Sequence, residues 1–354
     1  MTVLQTHQNF RSRPVRLGFL GVGWIGLSRM KSLLGSGFAE AVAIADPNPA
    51  MAASAKALAA QATVCGSLDE LLEQDMDGLV IATPSALHAQ QSIKALDAGV
   101  AVFCQKPLGR SVNEVRSVVE AARRNDLPLG LDLSYRHTAA ITRIRQLIEE
   151  ETLGNLHTLD LVFHNGYGPD KPWFYDRRLS GGGCVMDLGI HLVDLALWSL
   201  DFDPVVSATS HLRQAGVVWR GADNTVEDLA FATLVTANGA LIRIACSWRL
   251  NVGREAEISA SFHGTRASAR FANAGGSFYD FTAELQCGTT SKMLFSGKDD
   301  WGGGAAHCWL AKVVARTGFD PGCLQHVEVA KALDLIYAPR STIALRDSAR
   351  SSVG

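Results

Sequence analysis

Three groups of residues along this chain have types and spacings that suit chemistry. Gly21-Val22-Gly23-Trp24-Ile25-Gly26 is a G-x-G-x-x-G hexapeptide. Lys106 follows an apolar run, in Cys104-Gln105-Lys106-Pro107-Leu108. Asp187 and His191 stand four residues apart, behind the triplet Gly181-Gly182-Gly183. On a helix that spacing puts both side chains on one face. Oxidising a secondary alcohol needs a base for the hydroxyl proton while hydride leaves carbon, and a donor for the developing alkoxide. Histidine suits the first because it titrates near neutrality; an ammonium suits the second. The bland readings are a solvated strand end for Lys106, a helix cap for Asp187 and a core histidine for His191. Asp187, His191 and Asp194 also have the spacing of a metal cluster, since all three share a helix face; that is the lesser reading, and no metal is expected.

The hexapeptide gains meaning from its setting. It follows the apolar run Val15–Leu20 and opens a helix, the context of a dinucleotide fingerprint rather than of a ligand-free glycine turn. Gly21 permits the tight turn, Gly23 leaves room for a pyrophosphate, and Gly26 lets helix and strand pack closely. The helix N-terminus then offers free N–H groups to phosphate. Asp46 ends the second strand, where a carboxylate reads the adenosine ribose hydroxyls. Pro47-Asn48-Pro49 bring no basic residue for a 2′-phosphate, so NAD is expected over NADP. Asp46 also reads as a cap for the next helix.

The elements that must hold these groups follow from apolar periodicity. Val15–Leu20, Ala39–Ala45, Gly78–Ala82, Val100–Cys104 and Pro128–Leu133 are short apolar runs. The segments between them, starting at Trp24, Asn48, Ser67, Ala86 and Val112, have helical patterns. Such alternation implies a doubly wound parallel sheet covered on both faces. After a crossing helix near Thr138–Glu150 and another around Met186–Leu200, strands dominate. Asp228–Val235 and Ala240–Trp248 flank Asn238-Gly239, a hairpin signal, and Glu255–His263 and Ala267–Phe271 continue the series. Helices at Ala305–Thr317 and Leu324–Ile336 close it. The expected fold class is α/β: a parallel doubly wound domain, then an α+β domain with an open, mostly antiparallel sheet. The expected divisions are a flexible arm over 1–14, a dinucleotide domain over 15–135, and a substrate-binding and self-association domain over 136–354.

Four motifs in register resemble the Gfo/Idh/MocA oxidoreductases (glucose–fructose oxidoreductase and inositol dehydrogenase). They are the fingerprint, Ala82-Thr83-Pro84-Ser85-Ala86-Leu87-His88, Gln105-Lys106-Pro107, and Gly181-Gly182-Gly183-Cys184-Val185-Met186-Asp187-Leu188-Gly189-Ile190-His191-Leu192-Val193-Asp194. The resemblance runs from Val15 to about Tyr337. It implies a Rossmann domain, an open-faced sheet domain and a site between them. It implies that Lys106, Asp187 and His191 are the catalytic set. It implies that Gly21, Gly23, Trp24, Ile25, Gly26, Asp46, Thr83, Pro84, His88, Gln105 and Lys106 surround the cofactor. Arg136 sits where the family often has an arginine near the cleft; an interdomain salt bridge is its other reading. Gln105 departs from the family, which usually has Glu there. An amide still bonds a ribose hydroxyl but does not hold Lys106 charged as a carboxylate would.

His164–Arg178 combines aromatics with polar groups ahead of the glycine triplet. Trp173 is its candidate for packing on a sugar ring, against the alternative of a loop anchored by aromatics. Trp301 is a weaker candidate for closing the site. The expected activity is hydride transfer between NAD and a secondary alcohol or ketone of a sugar, cyclic polyol or sugar derivative. Other readings are a redox-assisted lyase or epimerase with tightly held NAD, and a sensor without turnover. Net charge is −2 with no polybasic run, so neither nucleic acid nor an anionic membrane is an expected partner. No secretory leader or uninterrupted run of about 18 apolar residues is read. Seven scattered cysteines, none in a C-x-x-C pair, point to a reducing, cytoplasmic setting. Apolar residues on both faces of the hairpin strands, Leu229, Phe231, Ile242, Ile244 and Trp248, predict a homodimer or homotetramer.

Overall fold

The computed structural model describes residues 13–338 except 222, 300 and 302. The arm expected over 1–14 lies outside them apart from its last two residues. Strand β1 (Val15–Leu20) leads into helix α1 (Trp24–Gly35), then β2 (Ala39–Ala45), α2 (Pro49–Leu58), β3 (Thr63–Val64) and α3 (Leu68–Leu72). β4 (Gly78–Ile81), α4 (Ser85–Asp97), β5 (Ala101–Cys104), α5 (Val112–Arg124) and β6 (Leu129–Leu131) complete the unit. The six strands pair in parallel, in the order β3-β2-β1-β4-β5-β6. The order reverses between β1 and β4, the place where doubly wound sheets bind dinucleotides. β4 and β5 are buried along their whole length, as a sheet covered on both faces requires.

The second half starts with α6 (Ala139–Glu149) and β7 (Leu156–Asn165), followed by α7 (Arg177–Ser180) and α8 (Ile190–Ser199). Then come β8 (Val205–Gln214), β9 (Val217–Val218), β10 (Leu229–Thr236), β11 (Leu241–Ser247), β12 (Ala256–Gly264), β13 (Ser268–Asn273), β14 (Asp280–Cys287) and β15 (Thr290–Lys298). They form one nine-stranded sheet, β15-β14-β13-β12-β7-β11-β10-β8-β9. β7 runs parallel to β11; the other pairings are antiparallel. The hairpin expected at Asn238-Gly239 joins β10 to β11, with Gly239 at φ +86°.

The hairpin carries apolar residues on both faces: Ile242, Ile244 and Trp248 are buried on the inner one, while Leu229 and Phe231, the latter 49% exposed, face outward. Polar residues share the outer face: one register row runs Thr209, Thr233, Arg243, Asp160, Ser261, Arg270. Residues 15–135 do not by themselves cover the parallel sheet. Helix α9 (Gly304–Ala315) returns to pack on β1, β5 and β6. Trp309 lies 5.7 Å from the Phe103 ring. It occupies the space a Cβ on Gly78 or Gly130 would need. The last helix, α10 (Gln325–Tyr337), packs on β8, α5 and α8.

The helical run Arg177–Ser199 is long and apolar enough to cross a membrane by composition, yet 83% of its apolar window is buried inside the fold. That is the setting of a core helix.

Candidate active site

The fingerprint loop shows which glycines the chain itself demands. Gly21 has φ +80°, and a Cβ there would lie 2.6 Å from the Ala82 carbonyl. A Cβ on Gly26 would lie 2.2 Å from the Gly21 carbonyl. A Cβ on Gly23 would meet nothing within 4 Å. Gly23 is therefore not required by packing, and the open space beside it, at an N-terminus of α1 that carries no side-chain cap, suits a phosphate. Trp24, 71% exposed, and Ile25 border the same space. Asp46 braces this loop: it accepts from Val22 N and from Asn48 N, each at 2.8 Å. The cap of α2 is Asn48, not Asp46; Asn48 accepts from Ala50 N at 3.0 Å.

From Gly23 a cavity of about 650 Å³ runs between the two sheets. Thr83, Pro84, His88, Gln105, Lys106, Trp173, Asp187 and His191 all line it. Lys106, at the end of β5, reaches Asp187 Oδ1 at 2.5 Å and the Asp187 carbonyl at 2.7 Å. Trp248 Nε1 donates to the other Asp187 oxygen at 3.0 Å. The carboxylate beside Lys106 is thus supplied by Asp187, which answers the loss of a family glutamate at Gln105.

Asp187 does not sit on a regular α-helix. Val185–Gly189 forms a π turn that leads into α8, a distortion frequent at functional sites. Its anchor is Glu227, which the sequence reading did not single out. This fully buried carboxylate accepts from Gly183 N at 3.1 Å, Val185 N at 2.9 Å and Tyr337 Oη at 2.7 Å. A Cβ on Gly183 would collide with the Glu227 carbonyl at 1.8 Å. Gly183 therefore packs backbone on backbone under the π turn, while Gly182 makes room for the Tyr337 hydroxyl.

His191 is 7% exposed, with its ring edge-on to Tyr135 at 5.1 Å. Nδ1 has no partner among the described residues. Burial first, then the charges of Lys106 and Arg29, push the imidazole well below its usual pKa. It is neutral at pH 7. Asp187 bonds Lys106 and Trp248, and no contact between it and His191 is among those seen.

The cavity floor holds an ion pair the sequence reading missed. Arg29, on the buried face of α1, donates to Asp132 Oδ2 at 2.5 Å, and each side chain is 1% exposed. Gln105 donates its amide to the same oxygen. The available signal was an aspartate at the C-terminal end of a parallel strand, where such sheets bind ligands. Trp301 lies over Arg29 at 5.3 Å and stacks on Tyr135.

Other expected residues land elsewhere. Arg136 is not brought to the cavity. Its guanidinium pairs with buried Asp194 and lies over Phe202 at 5.1 Å. Asp194 therefore serves Arg136 and not a cluster with Asp187 and His191. No metal-binding group of three is found among the described residues. His88 is 1% exposed. Its ring nitrogens face the carbonyls of Thr83 and Pro107 at 2.6 Å each, so it ties the loop after β4 to the loop after β5. Trp173 stacks on Phe174 at 3.8 Å on the cavity wall.

Comparison with known proteins agrees with this architecture. Residues 15–132 match the oxidoreductase family with an NAD-binding Rossmann fold, and residues 141–270 match the GFO/IDH/MocA C-terminal domain. The D-glucoside 3-dehydrogenase of Escherichia coli is 28% identical over 56% of this chain and 60% of its own length. The inositol 2-dehydrogenase of Rhizobium meliloti is 28% identical over 73% of this chain and 76% of its own. The matched stretch thus spans less than two thirds of the first relative. Among solved structures, a levoglucosan dehydrogenase in complex with NADH and levoglucosan superposes with a TM-score of 0.77 at 20% identity, over 92% of this chain and 96% of the other. The 3-ketoreductase KijD10 of Actinomadura kijaniata, in complex with NADP, does so with a TM-score of 0.77 at 19% identity, over 92% and 97%. Two family models in register over most of the chain, on this pair of sheets, mean that the chain belongs to the Gfo/Idh/MocA oxidoreductases.

Proposed function

We propose that this chain transfers hydride between a nicotinamide dinucleotide and a secondary alcohol or ketone of a sugar, cyclic polyol or sugar derivative. One observation carries the reading. Lys106 from the parallel sheet and Asp187 and His191 from the second half line one cavity that opens at Gly23. In the oxidising direction the substrate O–H proton goes to neutral His191. Hydride leaves the same carbon for the dinucleotide, which supplies the electron acceptor, and the C=O bond forms. Lys106 holds the oxygen as its charge develops, and Asp187 holds Lys106. Thr83, Pro84, Gln105 and the fingerprint loop border the dinucleotide. Trp173 and Phe174 offer apolar faces to the C–H side of a sugar ring. A panel of inositols, aldoses, amino sugars and glycosides, followed by nicotinamide absorbance, tests the reading. No turnover with any of them, with either cofactor, would overturn it.

The dinucleotide in this reading is NAD. Asp46 retains lone pairs beyond its two backbone bonds, and no basic residue follows it before Lys56. The division at residue 135 is likewise our reading, with α9 assigned to the first domain. Self-association uses the outer face of the nine-stranded sheet, where Leu229, Phe231, Val235 and Leu241 leave apolar area beside the Arg243–Asp160 pair. Sedimentation as a monomer at micromolar concentration would reject that.

A further inference from the structure

Among the described residues, seven buried side-chain polar atoms have no hydrogen-bond partner, and four of them, on Asp132, Asn165, His191 and Trp301, belong to residues lining the one cavity. Buried polar groups are normally satisfied. Such a concentration marks a surface shaped for a polar ligand.

Asp132 is the most demanding of the four. Its Oδ2 takes both Arg29 and Gln105, and its Oδ1 takes nothing. An ionised carboxylate only accepts, so Oδ1 calls for a ligand's donor. Arg29 forms an ion pair with this carboxylate, and both are 1% exposed. Trp301 Nε1, a donor only, is also unpartnered, and its ring covers Arg29. An unpartnered acceptor and an unpartnered donor thus belong to two residues that both touch one guanidinium.

The topology says which part of a ligand comes here. Asp46 ends β2 on one side of the strand-order reversal; Asp132 follows β6 at the far edge of the other. A dinucleotide lying across the reversal puts adenosine over the first and nicotinamide over the second. The nicotinamide carboxamide has an N–H donor and a carbonyl acceptor side by side. We infer that Asp132 Oδ1 accepts from the carboxamide N–H of the nicotinamide ring, with Trp301 Nε1 facing its carbonyl. Arg29 and Gln105 are positioning residues that act through Asp132. The inference rests on the dinucleotide reading above and adds a reader for its reactive end.

The test compares binding of NADH with that of reduced 3-acetylpyridine adenine dinucleotide, which replaces the carboxamide NH2 by a methyl group. ADP-ribose, lacking the ring, is the control. Wild type should bind NADH about 10–100-fold more tightly than the acetyl analogue, the range for a hydrogen bond to a charged group. In Asp132→Asn the preference should shrink. In the double variant Arg29→Met/Asp132→Leu, which replaces the buried pair by apolar groups of similar size, it should fall to within about 3-fold. ADP-ribose affinity should hold in both. Equal binding of the two dinucleotides by wild type, or a preference that survives in both variants, overturns the inference and leaves the dinucleotide reading intact. So does an unchanged preference accompanied by weaker sugar binding, which would assign Oδ1 to a substrate hydroxyl. Loss of ADP-ribose binding in both variants would make Asp132 a strut of the fold and also overturn it. If wild type binds neither NADH nor ADP-ribose, the dinucleotide reading itself fails.

Discussion

Lys106 Nζ lies 2.5 Å from Asp187 Oδ1, so one ammonium ties the end of β5 to the π turn of the other half. Its side chain is 18% exposed and that of Asp187 16%. At that burial the pair is partly shielded from solvent screening. This pair therefore bridges the two halves across the cleft, and in the proposed reaction a substrate oxygen would share the ammonium with the carboxylate.

His191→Ala should lower turnover about 10²–10⁴-fold, the usual cost of removing a general base. Affinity for NADH should change little, because the fingerprint loop is remote from the imidazole. The wild-type ring also carries a pH signature. Its folded pKa is depressed by burial, Lys106 and Arg29, whereas the unfolded ring takes a proton near pH 6.5. Stability from this group is present above about pH 6.5 and lost as pH falls through that value toward the folded pKa. Thermal melts of wild type and His191→Ala between pH 7 and pH 5 should show a shallower decline in the variant.

Gln105→Glu restores the residue usual in the family, and the structure attaches a stability cost to it. Gln105 donates to Asp132 in a buried site, so a glutamate there sets two carboxylates together. One must hold its proton, and its pKa rises. A raised folded pKa means a stability contribution present at low pH and lost as pH rises above about 4.3. The variant should be about 2 kcal/mol less stable than wild type at pH 8 and nearly equal to it at pH 4. Melts at the two pH values check this.

Glu227→Gln turns a pure acceptor into an amide facing two backbone N–H groups and the Tyr337 hydroxyl. All three donors converge on Oε1, and only Gly183 N also faces Oε2, where the amide NH2 has the wrong polarity and no acceptor among these groups. A loss of about 1–3 kcal/mol in stability is expected. Turnover should fall with it, because Asp187 rides on the clamped turn. Tyr337→Phe, which removes one donor and leaves the carboxylate, should cost only about 1 kcal/mol. Denaturant titrations of the two variants give the ranking.

Asp46→Ser with Asn48→Arg should move cofactor preference toward NADP by at least about 10-fold, by removing a repulsive carboxylate and adding a phosphate partner. It should also cost stability. Asp46 braces Val22 and Asn48 caps α2, and a lost N-cap alone is worth about 1 kcal/mol. Calorimetric titration with both cofactors and a melt of the double variant measure the two effects.

The parallel sheet was legible because β4 and β5 are continuous apolar runs, and β1 is apolar apart from Arg16 and Gly18, each bounded by helices. β7, the strand between β11 and β12, was not. Thr158 and Asp160 alternate with its buried Leu159 and Leu161 because one face is left open, and His157 is exposed at its start, which dilutes the signal. That Lys106, Asp187 and His191 line one cavity was readable from motif order. Asp132 and Arg29 were not, because their pairing joins residues 103 apart in sequence. Glu227 was hidden for a similar reason: its purpose is to bond a backbone 42–44 residues away.

The return of α9 to the parallel sheet has a consequence for how the chain is made. Trp309 fills the floor beneath Gly78 and Gly130, so strands β4 to β6 have a bare apolar face until that residue has left the ribosome. At about 5–20 residues per second, the stretch from residue 131 to 309 leaves that face exposed for roughly 10–40 s. A nascent chain halted between those points should bind hydrophobic-patch chaperones, and release should coincide with emergence of α9.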